Sequence, residues 1–192
     1  MIEERRVIEC ELRVMPMPDK KMPILTGYAA MFGKKSVDLG GFTEEVARGA
    51  FANTIKADDV MALFDHESSM PLGRTSAGTL RLSEDEVGLK MEIDMPDTMC
   101  SRDLVESVSR GDVKGASFGF RTISDEWKML DGMSHRMLVE VQLRDVSPVT
   151  FPAYPDTSVA MRSHDVWKLA TRPIETIGLL LQRQRQAESL GR

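Results

Sequence analysis

Apolar and polar residues alternate along most of the first two thirds of the chain, which predicts strands. Ile8, Cys10, Leu12 and Val14 are separated by Glu9, Glu11 and Arg13, the pattern of one half-buried strand. Residues 24–32 are apolar with Gly27 inside them, which predicts a strand carrying a bulge or a close backbone approach. Val46, Ala47, Ala50, Phe51 and Ile55 recur at near-helical spacing, so a short helix is expected over 45–56. Residues 60–64 are apolar on both faces, as in a buried strand, and run into Asp65 and His66. Leu80 and Leu82, a polar turn at 83–86, and alternation through Val87, Leu89, Met91, Ile93 and Met95 predict a hairpin. Pro96, Asp97 and Thr98 open a helical stretch with Leu104, Val105 and Val108 on one face, and Gly111 suits its C-terminal cap. Strands follow at 115–123 and through Met137, Val139, Val141 and Leu143, with Asp131-Gly132 as a turn signal between them. Pro148, Pro152 and Pro155 argue against a further central strand. Residues 167–192 read as a peripheral helix or loosely attached tail. Six or seven strands with few helices predict an α+β, mainly β fold, a small barrel or sandwich with added helices.

A length of 192 residues suits one domain with a tail. Lys plus Arg is 25 against 30 for Asp plus Glu, a net charge of -5, so a basic nucleic-acid surface is not expected. The chain has no run of 18 apolar residues for a membrane span and no apolar h-region behind its first residues for a secretory signal. Cys10 and Cys100 make no disulfide framework and fit a reducing compartment. Metal-ligand spacings such as C-x-x-C and H-E-x-x-H are absent, so neither metal nor cofactor is expected.

The string Gly115-Ala116-Ser117-Phe118-Gly119 is the candidate for chemistry. On a strand, Ala116, Phe118 and Phe120 share one face and Gly115, Ser117 and Gly119 the other. The serine would then stand without walls, open to a substrate backbone. A serine hydroxyl needs a base. The candidates are His66, His135 and His164, and His66 is favoured because the end of a buried strand holds a side chain rigidly. The base needs a partner to fix its tautomer. Glu140, between Val139 and Val141, leads for that role, with Asp145 and His135 as rivals. The nucleophile elbow of the α/β-hydrolases does not fit, because residues 120–123 continue as strand and no βα alternation is present.

Several ordered motifs resemble the tailed-phage prohead (capsid maturation) protease family. They are residues 27–33 (GYAAMFG), 62–66 (ALFDH), 72–75 (LGRT), Gly88-Leu89, Gly111-Asp112-Val113, Ser117 to Phe120, and 145–155 (DVSPVTFPAYP). The resemblance covers roughly residues 5 to 162. It implies a herpesvirus-protease-like fold, a small β-barrel flanked by helices, over residues 1–162, with 163–192 as a tail open to self-processing. It implies a serine endopeptidase without cofactor or metal, acting in the bacterial host cytoplasm inside the assembling prohead. The partners it implies are the major capsid protein or a scaffold protein as substrate; a homo-oligomer is compatible with it, and no nucleic acid or membrane is involved. The family histidine and serine fall on His66 and Ser117. The third position, a histidine in the herpesvirus relatives, falls on Glu140. The alternative is a non-catalytic capsid-assembly or scaffold-binding factor of the same fold.

Overall fold

The computed structural model describes residues 3–18, 21–151, 164, 165 and 167. Among the described residues the following elements run in chain order: β1 (Glu4–Glu9), β2 (Arg13–Met15), β3 (Ile24–Met31), β4 (Phe42–Val46), α1 (Thr54–Ala57), β5 (Met61–Leu63), β6 (Pro71–Arg74), β7 (Leu80–Glu84), β8 (Gly88–Asp94), α2 (Met99–Arg110), β9 (Gly115–Leu130) and β10 (Met133–Val149). The fold is mainly β. Its strands form a six-stranded sheet, ordered β1-β9-β10-β5-β6 with β4 also on β10, and a four-stranded sheet, ordered β2-β3-β8-β7. Among the described residues no ladder joins the two sheets into a ring, so the expected closed barrel is replaced by two open sheets.

The long hairpin β9–β10 is the spine. Asp131 and Gly132 both take positive φ, 53° and 79°, the backbone that a two-residue hairpin turn requires. The β7–β8 hairpin and α2 also lie where periodicity placed them. Thr98 caps α2 by accepting from the Ser101 N–H at 3.3 Å, and Gly111 closes it in the left-handed conformation. Gly27 is a close approach: a Cβ there would stand 2.7 Å from Leu12 Cδ2.

Three expectations need correction. The strand foreseen through Ile8 to Val14 is two strands, because the chain leaves the six-stranded sheet after Glu9 and joins the four-stranded one at Arg13. The helix foreseen over 45–56 is only the single turn α1. Its first residues belong to β4, which pairs in parallel with residues 134–138 of β10, and Gly49 at φ 85° breaks helical continuity. Pro148 lies inside β10, opposite Ala116. A residue's N–H and C=O point to the same edge of a strand. The Pro148 carbonyl accepts from Asp65 N on the β5 side, so its missing donor falls beyond the end of β5, where no ladder needs it. The short strand β6 carried no foreseen pattern. Pro152, Pro155 and nearly all of the tail lie outside the described residues; His164 is buried against Phe42 and Trp127, and Trp167 stacks on Trp127 at 5.3 Å.

The core lies between the sheets. Ala116, Phe118 and Phe120 of β9 and Leu138, Val141, Leu143 and Val146 of β10 meet Leu25, Leu89, Met91 and Ile93 of the smaller sheet. Phe118 stacks on Phe120 at 4.9 Å and meets Phe51 edge-on at 5.6 Å. Fully burying an aromatic or branched aliphatic side chain contributes about 1.5–3 kcal/mol, so this layer fixes which face of β9 looks outward. Ser117 is on that other face.

A second buried cluster was not foreseen. Arg136, 1% exposed, donates to Glu4, Glu44, Asp125 and Thr122, and Arg6 donates to Glu4 and Glu44. These bonds tie β1, β4, β9 and β10 together.

Candidate active site

Ser117 sits three residues into β9, flanked by Val7 of β1 and Ser147 of β10. His66 arrives from the turn after β5. Asp65 and His66 both take left-handed backbone, φ 50° and 60°, which costs about 1–2 kcal/mol per non-glycine residue. Bonds to the end of β10 hold this turn. Asp65 N donates to the Pro148 carbonyl at 3.0 Å, and the Asp65 carboxylate accepts from Thr150 N and Thr150 Oγ1, both at 2.7 Å. The imidazole is thereby swung over the sheet. Its Nε2 lies 2.6 Å from Ser117 Oγ and its Nδ1 lies 2.5 Å from Asp145 Oδ2.

Asp145 reaches this face because of a bulge. Leu143 faces the core opposite Phe120, and Asp145 stands opposite Gly119. Neighbours on β9 point to opposite faces, so Leu143 and Asp145 do too, although they are two residues apart. Arg144 is the extra residue. Gly119 therefore does something other than clear a path for substrate. A Cβ on Gly119 would stand 2.3 Å from Asp145 Oδ1, so the space above Gly119 is filled by the carboxylate.

The site is dry. Ser117 is fully buried, and the side chains of His66 and Asp145 are 9% and 7% exposed. Burial pushes the Asp145 carboxyl up, but hydrogen bonds from His66 and Ser147 and the charges of His66 and Arg5 outweigh it and hold the group below the usual carboxylate range. Asp145 therefore stays ionised at neutral pH. With a carboxylate at Nδ1, that nitrogen carries the proton and Nε2 presents its lone pair to the serine hydroxyl. The arrangement can remove a proton from Ser117 Oγ and hold the resulting imidazolium.

The structure does not bring Glu140 to His66. Glu140 lies five residues back along β10, roughly 15 Å at the rise of a strand, and its Oε1 accepts from Asn53 Nδ2 at 2.7 Å near the surface. Alternation from the apolar residues of β10 makes Glu140 look outward, but the bulge hands the outward position beside His66 to Asp145. The rival His135 is also elsewhere. It is buried under β4, with Nδ1 2.9 Å from Thr43 Oγ1 and Nε2 3.6 Å from Glu45, and burial lowers its pKa. His164 is packed among Phe42, Trp127 and Trp167. Both cysteines are free thiols, and burial pushes Cys10 up to about 11, so it is no nucleophile at neutral pH. Among the described residues no group of His, Cys, Asp or Glu could hold a metal ion, and no helix is long and apolar enough to cross a membrane. Ser147 had no role in the sequence reading. Its signal was its place in the 145–155 motif (DVSPVTFPAYP), two residues beyond Asp145.

An alcohol, an imidazole and a buried carboxylate in one hydrogen-bonded line define the serine-hydrolase class of site. The chain belongs to the caudovirus prohead serine protease family, whose pattern it matches over residues 10–171. It is similar to the prohead protease of Enterobacteria phage HK97, with 30% identity over 153 residues, 77% of this chain and 64% of that protein. The chain thus spans less than two thirds of the relative's length. No solved structure matches it.

Proposed function

We propose that this chain is a serine endopeptidase that cleaves scaffold protein, or the scaffolding segment of the major capsid protein, during phage prohead maturation, with cleavage of itself. The observation that carries the reading is the pair of contacts on His66, 2.6 Å to Ser117 Oγ and 2.5 Å to Asp145 Oδ2. Membership in the prohead protease family supports the substrate class and the setting, inside the assembling prohead in a bacterial host. Kinship in fold with the herpesvirus assembly proteases belongs to the same proposal, supported by the order of histidine before serine along the chain.

In this reading Ser117 Oγ attacks the scissile carbonyl carbon while His66 Nε2 takes its proton. The imidazolium, stabilised by Asp145, then protonates the leaving amine as the tetrahedral intermediate collapses to an acyl-enzyme. Water repeats the sequence with His66 as base and frees Ser117. Asp145, rather than Glu140, is the third member.

Replacing Ser117 by Ala tests the proposal. Cleavage of scaffold-bearing capsid protein is expected to fall about 10⁶-fold in kcat, the scale seen when a serine nucleophile is removed. A fluorophosphonate is expected to label the wild type and not the variant. Undiminished processing by Ser117→Ala, or binding of scaffold without cleavage by the wild type, would replace this reading with that of an assembly factor.

A further inference from the structure

We infer that Ser147 is a positioning residue for the His66–Asp145 pair, supplying a second oxygen at the imidazole Nδ1 and a fixed donor to the carboxylate. The inference rests on the endopeptidase reading for its kinetic consequence and on geometry alone for its structural one.

Ser147 is fully buried and stands in register with Ser117 across the β9–β10 ladder. Facing residues of an antiparallel pair carry Cβ atoms about 4.5–5.5 Å apart, so the two hydroxyls share one outward face. Ser147 Oγ lies 2.6 Å from Asp145 Oδ2 and 3.3 Å from His66 Nδ1. An ionised carboxylate only accepts, so the Ser147 hydrogen must point at Oδ2. That leaves the lone pairs of Ser147 Oγ to face Nδ1. The Nδ1–H then meets two acceptors, Asp145 Oδ2 and Ser147 Oγ, and no donor. A proton on Nδ1 is favoured from both, and Nε2 is left free to receive the Ser117 proton.

The same hydroxyl prevents the carboxylate from rotating away. Two donors, Ser147 O–H and His66 Nδ1–H, converge on Oδ2 from different directions, and Oδ1 is seated over Gly119, where a Cβ would be 2.3 Å away. The hydrogen bonds of Ser147 Oγ go to Asp145 and His66 and not to Ser117 Oγ, so its effect passes through those two groups.

The test compares Ser147→Ala and Ser147→Thr with the wild type, in the full chain. The Ala variant is expected to lose about 10- to 100-fold in kcat, the scale of a hydrogen bond to a charged group, with KM unchanged. The Thr variant, which keeps the hydroxyl, is expected to recover most of that loss. Independently of turnover, the proton NMR resonance of His66 Nδ1–H is expected to shift or broaden in the Ala variant and to return in the Thr variant. An unmoved resonance with unchanged kcat in Ser147→Ala would overturn the inference. So would equal losses in Ala and Thr with the resonance unmoved, which would assign Ser147 to packing. Should the wild type fail to cleave or to label, the endopeptidase reading falls, while the resonance still decides the place of Ser147.

Discussion

The β9–β10 hairpin carries two buried polar clusters, and they are built on opposite plans. Around Arg136, two guanidiniums and three carboxylates bind one another, with Arg6 and Arg136 each donating to both Glu4 and Glu44. Burial alone would lower the Arg136 pKa and raise that of Glu4, but their mutual hydrogen bonds and opposite charges reverse both shifts, so these two groups keep their charges. Around His66 one carboxylate, braced by Ser147, leads through one imidazole to a neutral alcohol. The Arg136–Glu4 pair is held as fixed charges. The second cluster contains an imidazole, a ring that can both accept and donate a proton. Buried polarity therefore holds the fold at one end of the hairpin and, on the reading above, moves a proton at the other.

Variants can pull the two ends apart. After the loss of the serine itself, the largest effect is expected at Asp145. Asp145→Asn keeps the size but presents the wrong hydrogen-bonding partner to Nδ1, and kcat is expected to fall about 10⁴-fold, as when the wrong tautomer is imposed on such a histidine, with thermal unfolding little changed. A normal rate would mean that the two clusters differ only in composition. Next comes Arg136→Ala, which leaves Glu4 and Glu44 buried without a main partner. It is expected to cost about 3–5 kcal/mol in stability by denaturant unfolding while the rate per folded molecule is preserved. Loss of rate without loss of stability would reverse the assignment of the two ends. The smallest effect is expected at Glu140. Glu140→Gln removes a near-surface charge bonded to Asn53 and should change stability by no more than about 0.5 kcal/mol and leave kcat unaltered. A large drop in kcat would return Glu140 to the line of catalytic groups.

Regular periodicity made much of this molecule legible. The alternation through Leu89, Met91 and Ile93, the amphipathic stretch closed by Gly111 and the Asp131-Gly132 turn each translate directly into β8, α2 and the hairpin. His66 and Ser117 were legible for a different reason: a strand end and a glycine-flanked serine are local features. The partner of His66 was not, because it depends on a register. Counting outward from the 131–132 turn without interruption sets Ser117 against Val146, whereas the irregularities of the ladder set it against Ser147 and set Gly119 against Asp145. Sequence patterns carry no mark of those irregularities. The Arg136 cluster was hidden for a related reason, since arginine is normally an exposed residue and its partners come from β1, β4 and β9. The helix foreseen over 45–56 failed because apolar residues that serve β4 and the core happened to fall at helical intervals.

Arg144 repays a last look. Removing it would leave each facing pair intact, Leu143 with Phe120 and Asp145 with Gly119, because the strand would simply run straight through. The loss would be one of curvature, since a supernumerary residue bends a strand and tightens its coil. Arg144 thus acts as a wedge between Leu143 and Asp145, and a change of length at this point would alter the angle at which the acid meets the ring while leaving the facing pairs the same.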